Sequence, residues 1–119
     1  MKITPTLVLL LFTFSLSAQS SQNMHLLSNW DPGYTFNDIW GYADGGKEYA
    51  VIGSLSRISI VDVTDPINVS LVGEVTPGLS SVWRDVKSFN NFIYGVSEAN
   101  GEGLVVIDAS GFDLSLIHI

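Results

Sequence analysis

The chain has 119 residues and not one cysteine. Disulfide staples, thiol nucleophiles and cysteine-ligated zinc are all excluded, so stability must come from packing. Basic residues are scarce too, with five Lys and Arg against twelve Asp and Glu, a formal net charge of −7. Such a surface repels phosphate backbones and anionic lipid, which excludes nucleic acid as a natural partner. Histidine is limited to His25 and His118, whose spacing does not make a metal pair. No nucleophile-elbow, zinc-protease or paired-glutamate pattern occurs. The longest apolar run is also too short to span a bilayer as a helix.

That short run has a different reading. Lys2 gives a basic start, Leu7 to Phe14 an apolar stretch, and Leu16-Ser17-Ala18 a small-residue cleavage site before Gln19. Together they predict a secretory signal peptide over residues 1–18, and hence a secreted or cell-surface protein. Removing Lys2 leaves four basic residues against twelve acidic ones, a formal charge of about −8. Residues 19–36 follow as a polar stretch and an apolar segment with Leu26, Leu27 and Trp30, closed by the turn signal Asp31-Pro32-Gly33. That segment is predicted to supply an N-terminal strand.

Two stretches then repeat one plan. Asp38 matches Asp85, 47 positions on, and Ile58-Ser59-Ile60-Val61-Asp62-Val63 matches Leu104-Val105-Val106-Ile107-Asp108-Ala109, 46 positions on. A repeat of that length, made of short strands, predicts an all-β fold in which each unit is one four-stranded blade of a β-propeller. Strands are expected at 38–42, 48–53, 58–63 and 70–75, and again at 85–89, 92–97 and 104–109. Asp44-Gly45-Gly46, Asn90-Asn91 and Asn100-Gly101-Glu102-Gly103 supply the turns, and Thr64-Asp65-Pro66 ends the third strand. In 58–63 both strand faces carry apolar side chains, as a sheet covered on both sides requires.

These residues resemble a known family. Ile60-Val61-Asp62-Val63-Thr64-Asp65-Pro66 with Leu71-Val72-Gly73 is similar to the LVIVD repeat of secreted bacterial β-propellers. Asn37 to Tyr42, Glu48 to Ser54, Val82 to Lys87 and Val96 to Ala99 together look like the N-terminal part of the choice-of-anchor B family. The resemblance covers most of residues 26–110 and implies an exported propeller held at or released from the cell surface. It brings no catalytic residues. The propeller repeats at 37–110 are expected to be incomplete, with one full blade plus three strands, and residues 111–119 to be a tail outside the blade pattern.

Candidate site residues follow from the repeat. Asp38 and Asp85 each open a first strand, nearest the axis of a propeller, where repeated carboxylates would ring a channel and take up Ca²⁺; bonding a neighbouring turn is their structural alternative. Trp40, Trp83 and Arg84 are the candidates for a ligand surface, because aromatics beside an arginine suit peptide or glycan platforms. Packing between blades is the simpler role for both tryptophans, and an ion pair with Asp85 the simpler one for Arg84. Asp62 and Asp108 are expected to bond turn amides. The functional expectation is a surface propeller binding a protein or glycan and no nucleic acid. A calcium-dependent hydrolase of lactonase or glycosidase kind, and a structural repeat domain of a larger surface protein, are the alternatives.

Overall fold

The computed structural model describes residues 23–110 and the strand Ser115–His118. The signal peptide predicted at 1–18 lies outside them. Eight antiparallel strands form two four-stranded sheets in simple up-and-down order, and no α-helix occurs among the described residues. The first sheet holds β1 (Phe36–Asp44), β2 (Lys47–Ser54), β3 (Ile58–Asp62) and β4 (Ser70–Val75). The second holds β5 (Arg84–Phe89), β6 (Phe92–Ser97), β7 (Leu104–Asp108) and β8 (Ser115–His118). Neither sheet closes on itself.

The hairpins sit where the turn residues place them. Gly45 and Gly46, with φ of 57° and 80°, join β1 to β2, and Asn90, at φ 52°, joins β5 to β6. Positive φ at these positions costs glycine and asparagine least, so two-residue turns form there and fix the register of each hairpin. Asp62 and Asp108 accept hydrogen bonds from the amides of Thr64 and Ser110 at 3.0 and 2.8 Å, capping the third strand of each sheet.

Two expectations are corrected. The segment before β1 is not a strand, since residues 24–32 carry no regular structure. The second sheet is not left with three strands either, because Ser115–His118 pairs antiparallel with β7, from Val105 opposite His118 to Asp108 opposite Ser115. The free edge of β7 presents a row of unpaired amides and carbonyls, and a short β-prone segment satisfies them.

Cross-strand partners share a face, so the register sorts the side chains. Trp40, Val51 and Ile60 lie on one face of the first sheet; Ile39, Ile52 and Ser59 lie on the other. The first of these faces meets Val86, Ile93, Val105 and Ile107 of the second sheet in one buried core. Approach is closest at glycine. A Cβ on Gly95 would stand 2.5 Å from Ile58 Cδ1, and one on Gly53 would stand 3.0 Å from the Arg84 carbonyl oxygen. Each fully buried valine or isoleucine contributes about 1.5–3 kcal/mol, whereas an exposed pair such as Lys47–Asp62 is screened by water and contributes little. The shared core therefore holds the sheets together.

Candidate functional site

The sheets are joined along their first strands by side chains rather than by a ladder. Asp38 Oδ2 accepts the Val86 amide at 3.0 Å and the Lys87 ammonium at 3.4 Å. Asn37 donates to the Ser81 carbonyl at 2.9 Å, and Ser88 to the Gly41 carbonyl at 3.1 Å. The Val86 amide, more than any other group, holds the Asp38 carboxyl below its ordinary value. Lys87 also lies over Trp40, 4.1 Å from the ring centroid. Asp85, on the solvent side of β5, takes no part in these bonds. The structure thus sets the carboxylate of Asp38 into the junction between the sheets.

Arg84 is the residue the sequence misjudged. Its partner is Glu102 and not the adjacent Asp85, and both side chains are fully buried, at 0% exposure. The guanidinium makes a two-pronged contact with the Glu102 carboxylate, through Nη1 and through Nη2 at 3.0 Å. Nε donates to the Ser54 carbonyl and Nη2 to the Leu79 carbonyl, each at 3.0 Å. One side chain therefore ties the end of β2, the loop between the sheets and the β6–β7 loop. Glu102 sits in a turn, Asn100 to Gly103, where nothing in the local pattern marks it as an inward-facing carboxylate.

The loop that Arg84 anchors carries several exposed apolar side chains. Ser81 is fixed by its amide to the Leu55 carbonyl at 2.7 Å and by its hydroxyl to the Trp83 carbonyl at 2.8 Å. On this pinned backbone Leu79, Val82 and Trp83 point to solvent, Trp83 at 69% exposure, with Leu55 beside them. Trp40 is exposed as well. Neither tryptophan fills the core, because the space between the sheets is taken by valine and isoleucine from the strand centres. Trp40 and Trp83 belong to separate clusters, one against Lys87 and the other on the loop.

The far face of the first sheet bears a groove of about 500 Å³ floored by Ile39, Ile52 and Val61 and walled by Trp30 and Phe36. A strap, residues 28–35, runs over this face. Its Tyr34 hydroxyl bonds Ser59 Oγ at 2.9 Å and the Glu74 carboxylate, Arg57 lies over the Tyr34 ring, and Trp30 stacks on Phe36. Burial raises the Tyr34 pKa, while the bond from Tyr34 is the largest influence lowering that of Glu74.

No protein-family model, curated protein or solved structure matches the chain. Among the described residues no group of three or more His, Asp or Glu comes together to hold a metal ion. No helix among them is long and apolar enough to cross a membrane.

Proposed function

We propose that this chain is part of an exported β-propeller of the LVIVD-repeat kind that acts as a binding module, engaging a protein or glycan at the cell surface. The observation that carries this reading is the loop 76–83: its backbone is pinned by Arg84 and Ser81 while Leu79, Val82 and Trp83 stand in solvent. A rigid loop gives up little entropy on binding, and tryptophan is among the residues enriched at the anchoring points of binding surfaces. The propeller part of the reading is supported by the repeat itself. Two sheets of one plan pack face to face with first strands side by side, as neighbouring blades do. Export is supported by the leader pattern at residues 1–18.

The test is retention of the labelled chain on glycan and extracellular-protein arrays, with a Trp83→Ala variant alongside. Loss of an anchoring tryptophan is expected to weaken binding by about 2 kcal/mol, roughly thirtyfold. Equal retention of both chains on every positive feature would remove the loop from the site.

A further inference from the structure

The loops that leave the second strand of each sheet differ in length. Between β2 and β3 lie residues 55–57, whereas residues 98–103 lie between β6 and β7, and the longer loop holds Asn100-Gly101 and brings Glu102 to Arg84. Of the chain's asparagines only Asn100 precedes glycine. Both residues are exposed, and a hydrogen bond from the Glu102 amide to the Ala99 carbonyl, 3.1 Å, closes the turn around them. Gly101 sits at φ 87°, a conformation that glycine supplies readily at the third position of such a turn, and nothing lies within 4 Å of where a Cβ would stand. The Asn68 side chain is held by Asp65, and that of Asn37 by the Ser81 carbonyl. The Asn100 side chain and the Gly101 amide make no hydrogen bond among the described residues.

We infer that Asn100-Gly101 is a self-modification site, at which the side-chain amide is lost through a cyclic imide and the product frees the anchor beneath it. The Gly101 nitrogen gives up its proton and attacks Asn100 Cγ; the N–Cγ bond forms, the Cγ–Nδ2 bond breaks, and ammonia leaves with the proton. Water then opens the imide at either carbonyl. Opening at Cγ gives aspartate, and opening at the main-chain carbonyl gives isoaspartate, whose backbone runs through Cβ and Cγ and is longer by a carbon. A side chain on the following residue crowds the attacking nitrogen, and glycine leaves it open. Closing the ring requires the Asn100–Gly101 peptide plane to turn toward Cγ, which glycine's freedom and the single backbone bond across the turn permit. The isoaspartate has the larger effect. An added backbone atom between Ala99 and Glu102 breaks the match on which the 99–102 bond and the two-pronged Arg84 contact depend. Arg84 is then left charged in the core, and its tie to the Leu79 carbonyl, which holds loop 76–83, slackens. The site stands on the turn itself and is independent of what loop 76–83 binds.

The test incubates the intact chain in mildly alkaline buffer, which speeds loss of the amide proton, and samples it by peptide mapping with isoaspartyl detection. Position 100 is expected to convert ahead of every other asparagine, to a mixture of aspartate and isoaspartate. The urea midpoint is expected to fall in step, and the Ser81 amide, bonded to the Leu55 carbonyl, to lose its protection from hydrogen exchange. Asn100→Gln, whose longer side chain closes a ring far more slowly, is expected to hold both through the same incubation. Freshly prepared Asn100→Asp supplies the charge without lengthening the backbone and is expected to match the fresh unaltered chain. Conversion at Asn37, Asn68 or Asn90 before Asn100, a converted chain with the fresh chain's midpoint, or a midpoint lowered as far by Asn100→Asp would each overturn the inference.

Discussion

Arg84 and Glu102 show how one buried pair organises three segments of backbone. Desolvating both charges is expensive, and the cost is met here by a two-pronged contact and two further carbonyl acceptors. Removing one partner leaves the other charged in the core. Glu102→Ala is therefore expected to destabilise the fold by about 3–5 kcal/mol in urea denaturation, far more than Lys47→Ala at an exposed, water-screened pair. A loss near 1 kcal/mol for Glu102→Ala would mean that Arg84 reaches water. The sequence pointed to Arg84 as unusual but not to its partner, because Glu102 lies 18 positions away in a loop whose glycines advertise only a turn. Asp62 and Asp108 were legible because an Asx bond to an amide two residues on is a local matter.

At the level of strands and turns the reading from sequence holds closely, since local chemistry decides both. Paired glycines or asparagines set the hairpins, and β-branched runs set the strands between them. What local chemistry leaves open is which side chain a neighbour needs small. Gly95 is such a place: Ala there is expected to cost about 1–3 kcal/mol against Ile58 Cδ1, and Ile58→Val is expected to recover part of it. Additive losses in that double variant would separate the two positions. The strap is a second tertiary feature invisible to periodicity, because residues 28–35 form no repeat. It should be acid-sensitive. A carboxyl whose folded pKa is depressed contributes stability that is complete above its ordinary value, 4.5 for Glu74, and is lost as pH falls through the lower folded value. The Trp30 indole resonance is expected to shift in that acid range, and Glu74→Gln to abolish the step. A step of the same size in the variant would assign it to another carboxylate.

Over the whole molecule, a period of 46–47 residues was enough to place two like sheets in sequence. It was not enough to place the tryptophans. Trp40 and Trp83 were candidates for a ligand surface with packing between blades as the simpler role; the inter-sheet space is filled instead by Val86, Ile93, Val105 and Ile107 against Val51, Ile58 and Ile60. The fourth strand of the second sheet was missed although Ser115-Leu116-Ile117 repeats Ser70-Leu71-Val72 of β4, 45 positions on, with Ser115 opposite Asp108 as Ser70 is opposite Asp62. The side-by-side arrangement of β1 and β5 underlies both the propeller reading and the placing of Asp38. Amide hydrogen exchange at Val86 tests it most directly, because that N–H is bonded across the junction by Asp38. Slow exchange is predicted in the unaltered chain, with protection lost selectively in Asp38→Ala while the β6 and β7 amides stay protected. Rapid exchange of the Val86 amide in the unaltered chain would contradict the arrangement.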